Sequence, residues 1–225
     1  MNNIAVIMSV YRHDKLDNLK KSLESLYCQS IGKIDIYVQE DGYVSSDINC
    51  FLANELKENK IFYLGLRDIN KGLAHSLNEL IDIALDRRYS YIARMDADDV
   101  SRPDRFSKQF DFMQTNPKID ICGTYIEEFG DGIEYRKLVT YPLSHKKMLV
   151  FFRKRVPLAH VSALFRRSYF EKAGLYETKG HLNNEDTLLW MKGFMSNCLF
   201  ANIDYVGVKV RVSKDFFGRR GGWGK

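Results

Sequence analysis

Apolar positions in the N-terminal half of the chain follow two alternating patterns. Ile4-Ala5-Val6-Ile7-Met8 is apolar without a break, as expected for a strand buried on both faces of a parallel sheet. Asp14 stands where a helix needs a side-chain cap, and Leu16, Leu19, Leu23 and Leu26 then share one helical face. Residues 34–38 read as a second strand, 47–57 as a second helix and 61–64 as a third strand. Leu73, Leu77, Leu80, Ile81, Ala84 and Leu85 form a helical stripe, and 89–95 reads as a fourth strand. This βαβαβαβ alternation predicts an α/β fold: a Rossmann-like, mostly parallel central sheet with helices on both faces.

Beyond residue 100 the rhythm changes. Arg102-Pro103 suits the start of a helix running to 115. Strands are expected at 119–129 and 138–141, with Gly130-Asp131-Gly132 supplying the turn. A helix at 144–152, a strand at 161–165 and a helix starting near Glu185 follow. The end of the chain is rich in Gly and Arg and reads as flexible.

Composition narrows this picture. With 225 residues, 45% hydrophobic and 28% charged, the chain suits a folded soluble protein with a sizeable core. Cys28, Cys50, Cys122 and Cys198 are scattered without a Cys-x-x-Cys pair, so neither a zinc site nor a disulfide framework is expected, and a reducing cytosol fits. Neither a signal peptide nor an apolar run near the ~20 residues of a membrane span is present. Any membrane role is therefore expected to be peripheral. The formal charge of +5 is mild: it permits an anionic ligand or lipid surface, and no nucleic-acid partner is expected.

In an open parallel sheet, ligands bind at the carboxyl ends of the strands. The residues that follow the predicted strands are Ser9, Tyr11 and Arg12; Glu40, Asp41 and Gly42; Arg67, Asp68, Asn70, Lys71 and Gly72; and Asp96, Asp98 and Asp99. Neither a Gly-x-Gly-x-x-Gly turn nor a P-loop is present. Phosphate charge must then be managed by other means, and Asp96, Asp98 and Asp99 offer hard oxygen ligands to Mg²⁺ or Mn²⁺. Asp41 is placed to accept from the imide of uracil, and Tyr11 to stack on the base. Each has a plainer alternative, as a turn carboxylate and a ring at the core edge. Glu185-Asp186 fits an acidic first turn of a helix, or a general base for an acceptor hydroxyl.

Ser9-Val10-Tyr11, Glu40-Asp41-Gly42, Asn70-Lys71-Gly72-Leu73-Ala74, Met95-Asp96-Ala97-Asp98-Asp99 and Glu185-Asp186 together resemble family 2 glycosyltransferases of the GT-A fold, over roughly residues 3–195. The resemblance is to bacterial enzymes that build O-antigen, capsule or other exopolysaccharide units. It implies a metal-dependent, inverting hexosyltransferase that uses a UDP-sugar donor. The acceptor would be a saccharide, or one linked to polyprenyl diphosphate, and the enzyme would be cytoplasmic with a peripheral contact at the inner face of the plasma membrane. Ser9, Tyr11, Asp41 and Asn70 would bind the nucleotide. Asp96 would meet the ribose or the metal, Asp98 would ligate Mn²⁺ or Mg²⁺, and Asp99 would lie near the donor sugar. Asp186 would be the catalytic base, Glu185 and His160 would serve the acceptor, and Arg219 and Arg220 would close over the diphosphate.

On this view residues 1–215 form one domain, with 1–100 binding nucleotide, 101–215 binding acceptor, and 216–225 forming a flexible tail. The sequence departs from the family where many members carry Ala-Arg-Asn and this chain has Ser76-Leu77-Asn78, so Arg67, Lys71 or His75 would have to replace an Arg contact to phosphate. Family members often continue into a basic amphipathic tail, so an ending at Gly224-Lys225 reads as shortened and leaves an impaired transferase as an alternative. Phe151-Phe152-Arg153-Lys154-Arg155 is a candidate membrane contact. A metal-dependent nucleotidyltransferase is a second alternative, disfavoured because the first loop has no glycine. A receiver-type binding module is a third, disfavoured by length and by the lack of a role for Glu185-Asp186.

Overall fold

The computed structural model describes residues 4–130, 134–179 and 184–212. The first strand, β1 (Ile4–Val10), shows why an unbroken apolar run was needed. Side chains alternate across a strand, so Ile4, Val6, Met8 and Val10 enter one core while Ala5 and Ile7 enter another. The first core is closed by α1 (Leu16–Tyr27), α2 (Ser46–Lys57) and α4 (Arg105–Thr115). The second is closed by α3 (Leu73–Asp86), α5 (His145–Phe152), α6 (Arg167–Ala173) and α7 (Glu185–Met195). The expected helices on both faces are therefore present.

The described strands form one nine-stranded sheet. Its order begins β3 (Tyr63–Gly65), β2 (Asp35–Glu40), β1, β4 (Tyr91–Arg94), and continues β8 (Leu164–Arg166), β6 (Ile121–Gly130), β9 (Phe200–Val212), β5 (Val100–Ser101). A further strand, β7 (Arg136–Val139), pairs with β6. Within the N-terminal half every pairing is parallel, and so is β6 with β9. Pairings through β8, β5 and β7 are antiparallel. This is the α/β sheet expected from the sequence, with the parallel half placing the carboxyl ends of β1, β2 and β4 side by side.

Several local expectations are corrected. Asp14 does not cap α1: the capping residue is Lys15, without a side-chain hydrogen bond, and the Asp14 carboxylate accepts instead from the Tyr11 N–H at 2.8 Å. The helix expected from residue 102 begins at Arg105, because Val100 and Ser101 pair with β9 and the Arg102 N–H donates to Gly207 O at 2.8 Å. The strand expected at 161–165 divides into a 3-10 turn, His160–Ser162, and β8. Strands two to four are shifted by one to two residues at their ends. Helix α6 and strand β9 were not anticipated. Yet Val206, Val208, Val210 and Val212 show the alternation of a strand. Asp131 and Gly132 of the proposed turn lie outside the described residues. Among the described residues no helix is long and apolar enough to cross a membrane.

Asp120 ties the C-terminal half together from just before β6. Its side chain, 3% exposed, accepts from Lys172 Nζ at 2.8 and 2.9 Å, from Ser168 Oγ at 2.7 Å and from the Leu199 N–H at 2.9 Å. It thereby links β6 to α6 and to the entry of β9. Burial by itself raises the carboxyl pKa, but Lys172, Leu199 and Ser168 outweigh it, and the net direction is below the ordinary value. A carboxyl that titrates lower in the folded state contributes its full stability above the unfolded value, and that contribution fades as pH falls through the folded one. Asp120→Asn should cost about 2 kcal/mol near neutral pH, with a smaller difference from the parent in strong acid. Urea denaturation of both proteins across acidic pH measures this; a difference that does not shrink on acidification refutes it.

Candidate active site

Strand β4 ends at Arg94, whose side chain is 1% exposed. The guanidinium donates to Met95 O and pairs with Asp96 Oδ1, while its Nε has no hydrogen-bond partner among the described residues. The backbone of this turn is fixed from several sides. The Arg94 N–H donates to Ala163 O at 3.0 Å, and Arg94 O accepts from Arg105 Nη2 at 3.0 Å. Ser22 Oγ of α1 donates to Asp96 O at 2.8 Å. Asp96 is thus held on a rigid turn with its side chain 41% exposed. Asp99 is buried, and its Oδ1 accepts from the Arg211 N–H at 2.8 Å. Arg211 Nε donates to Asp98 O at 3.0 Å, and its guanidinium lies over Phe129, 4.7 Å from the ring centre. The last residues of β9 therefore close one side of the acidic turn.

Asp41 follows β2 and is 3% exposed. Its Oδ1 accepts from Arg67 Nη1 at 2.7 Å and the Lys71 N–H at 2.9 Å, and its Oδ2 accepts from the Gly72 N–H at 2.9 Å. Asn70 Nδ2 returns a bond to Asp41 O at 2.9 Å. Gly42 lies at φ +79°, and a Cβ there would come within 2.6 Å of Asn70 N. Glycine is needed on both counts. The loops after β2 and β3 are thereby locked into one wall. Arg67 is spent on Asp41 and, at 2.5 Å, on Glu79, so it is not the free phosphate contact that the sequence allowed. Ser9 sits at the end of β1 beside Gln39, and Tyr11 is 42% exposed with its ring edge-on to His13.

Glu185 and Asp186 occupy the first turn of α7, where the helix dipole favours acid. Asp186 Oδ1 accepts from the Thr187 N–H at 2.6 Å and Thr187 Oγ1 at 3.3 Å. Behind them His160 Nε2 and Tyr176 Oη share a hydrogen bond of 2.7 Å, and the His160 ring meets Trp190 edge-on. Tyr176 is itself gripped by Asn78, whose amide exchanges bonds of 2.9 and 3.0 Å with its backbone. Burial, then the Arg94 charge, drives the His160 pKa well below its ordinary value.

Charge links these groups. Burial raises Asp98 to about 6, with Asp96 adding to the rise and Arg211 and Arg94 opposing it. Asp99 is raised well above its ordinary value, by burial and then by Asp96 and Asp98. Burial lifts Asp14 to about 7, with Asp98 and Asp96 contributing. Glu185 and Asp186 are raised mainly by burial, and both feel Arg94; Glu185 also feels Asp96. Asp96, Asp98, Asp99, Glu185 and Asp186 thus lie within the field of the buried Arg94, with buried Arg105 acting on Asp99 and Arg211 on Asp98. Among the described residues no three metal-ligating side chains converge to enclose an ion. A cation held by one or two carboxylates and completed by phosphate oxygens would find its candidate protein ligands in Asp96 and Asp98. Sequence reasoning missed Arg94, Arg211, Asp14 and Tyr176. Arg94 adjoins the acidic motif and was legible as its counter-charge, whereas Arg211 reaches the site only through β9. Arg219 and Arg220 lie outside the described residues.

Known proteins bear on this geometry. The model of "Glycosyl transferase family 2" matches residues 5–174. The chain is similar to the amylovoran biosynthesis glycosyltransferase AmsE of Erwinia amylovora, 32% identical over 97% of this chain and 80% of that one. It is also similar to an Escherichia coli UDP-Gal:alpha-D-GlcNAc-diphosphoundecaprenol beta-1,3-galactosyltransferase, 28% identical over 97% and 77%. Among solved structures, S. aureus TarS 1-349 in complex with UDP superposes with a TM-score of 0.70 at 17% identity, covering 96% of this chain and 62% of that one. The mannosyltransferase PcManGT of Pyrobaculum calidifontis, in complex with GDP-Man and Mn²⁺, gives 0.68 at 15%, covering 94% and 57%. These two establish the fold, GT-A, and the chain spans less than two thirds of each. Matched by the family model over most of its length, and by AmsE over nearly all of it, the chain belongs to glycosyl transferase family 2.

Proposed function

We propose that this glycosyltransferase moves a hexose from a UDP-sugar to a hydroxyl of a saccharide acceptor linked to polyprenyl diphosphate, with inversion, in surface polysaccharide synthesis. The observation that carries the reading is the apposition of Glu185-Asp186 to the Asp96–Asp99 turn across Arg94. A single displacement needs a base on the acceptor side and charge stabilisation on the donor side, and Asp186 and the Asp96–Asp99 turn are the candidates for these two roles. The E. coli relative, named for a UDP-Gal donor and a diphosphoundecaprenol acceptor, supports the choice of substrates. Residues 1–100 would carry the donor and 101–215 the acceptor, at the cytoplasmic face of the plasma membrane.

In this reading Asp41, Tyr11, Ser9 and Asn70 hold the nucleotide, and Asp96 and Asp99 orient ribose and donor sugar. Asp186 accepts the acceptor hydroxyl proton as that oxygen bonds to the anomeric carbon, and the bond to UDP breaks with its electron pair leaving on the diphosphate. Glu185 and His160 shape the acceptor side, and Arg219 and Arg220 are candidates for the diphosphate. Mn²⁺ or Mg²⁺ at Asp98 and Asp96, when bound, supplies neutralising charge to the leaving diphosphate. The PcManGT complex with Mn²⁺ supports that choice of metal.

The direct test incubates the protein with Mn²⁺ and a panel of nucleotide sugars and measures free nucleoside diphosphate with and without acceptor. UDP release that depends on acceptor is expected; pyrophosphate release would instead favour a nucleotidyltransferase. Asp186→Asn should slow transfer by about 10²–10⁴-fold while leaving UDP affinity unchanged, and full activity in this variant removes Asp186 as the base. Asp98→Ala should weaken Mn²⁺-dependent UDP binding by calorimetry, and equal binding with and without chelator in both proteins sinks the metal role. Because burial raises the Asp186 pKa, the base is lost to protonation earlier than a free Asp as pH falls. The acidic limb of kcat/KM should lie above the ordinary aspartate range; a limb within that range counts against the assignment.

A further inference from the structure

Helix α5 turns an apolar and cationic face outward. Its packing side is set by His145 and Phe152, whose rings lie 5.5 and 5.4 Å from Phe194 of α7, and by the fully buried Met148. The helical repeat then sends Lys146, Lys147 and Val150 to the opposite side, with Leu149 at the margin beside α7. Val150 is 62% exposed and Leu149 47%; across the Phe152–Phe194 junction, Met191 and Met195 of α7 are 42% and 76% exposed. An outward helix face is ordinarily polar, so the exposure of Leu149 and Val150 on α5 and of Met191 and Met195 on α7 needs an explanation.

The charge on α5 and in the turn after it is of one sign. Lys146, Lys147, Arg153, Lys154 and Arg155 are all exposed, and none forms an ion pair with a described residue. Between Glu134 and Glu171 the sequence has nine Lys or Arg and no Asp or Glu. Five of these nine, Lys146, Lys147, Arg153, Lys154 and Arg155, lie on α5 and in the turn after it. Lysine is depleted at protein–protein interfaces, whereas Lys and Arg mixed with Leu, Val and Met suit the boundary of an anionic bilayer.

We propose that α5, the turn after it and the outer face of α7 form a docking surface for an anionic lipid bilayer. The long basic side chains reach the headgroups while Leu149, Val150, Met191 and Met195 enter the acyl boundary. At 1.5 Å per residue, Met191 and Met195 lie about 8 and 14 Å along α7 from Asp186. Docking would hold the acceptor side of the site within reach of a lipid-linked sugar. That consequence, unlike the docking itself, rests on the reading of Asp186 given above.

The test is co-sedimentation of the full chain with vesicles of phosphatidylcholine alone or with added phosphatidylglycerol, at low and high salt. Binding is expected only with phosphatidylglycerol and should weaken with salt. The triple variant Arg153→Glu, Lys154→Glu, Arg155→Glu should bind at least about tenfold more weakly, and the double variant Leu149→Ser, Met195→Ser should also bind more weakly. Circular dichroism checks that both stay folded, and UDP release with a water-soluble acceptor should match the parent. No vesicle binding by the parent, or binding untouched by either folded variant, overturns the proposal. Retention on polyglutamate without vesicle binding also overturns it and reassigns the face to an acidic protein. Vesicle binding without sugar transfer leaves the docking surface standing and counts against the proposed function alone.

Discussion

The Arg94 guanidinium sits in the low-dielectric end of β4 with Asp96 on its fork and Asp98, Asp99, Glu185 and Asp186 within its field. A buried cation without partners is costly, and so is a set of crowded carboxylates. Each makes the other tolerable. This constraint explains why the turn after β4 is anchored by Ser22 from α1, Ala163 beside β8 and Arg105 from α4. A charge balance this close depends on position, and position is fixed by elements from both faces of the sheet.

The remaining architecture serves that placement. An unbroken apolar strand needs cover on both sides, so α1, α2 and α4 pack on one face and α3, α5, α6 and α7 on the other. Helix α7 comes from the second face and presents its N-terminal acids to a turn anchored largely from the first. Asn78 of α3 holds Tyr176, which holds His160, so the wall behind α7 is also defined by hydrogen bonds. Asp41 plays the same part for the loops after β2 and β3, drawing Arg67, Lys71 and Gly72 to one carboxylate.

The N-terminal half was legible because its signals are local. Apolar runs fixed the parallel strands, and leucine stripes fixed α1 and α3. The acidic motif, Asp41-Gly42 and Glu185-Asp186 could be named from residue type and order alone. What escaped depended on distant pairing. The short strand β5 exists because β9 lies beside it, and no property of Val100-Ser101 announces that. Asp14 looked like a cap, but the Tyr11 N–H was the nearer donor. Arg67 looked like a free cation until β2 brought Asp41 against it. Arg211 went unnoticed because β9 went unrecognised, although its valine alternation was visible.

The bond from the Arg211 N–H to Asp99 joins residues 112 positions apart. Closing so large a loop carries an entropic cost that local helices and hairpins avoid. Because synthesis proceeds from the N-terminus, β1 to β4 and their helices leave the ribosome long before β9. The acidic turn therefore spends the early life of each chain without its final strand, and Asp99 without that donor. Completion of the acidic turn is in this sense a late event, timed by the arrival of β9.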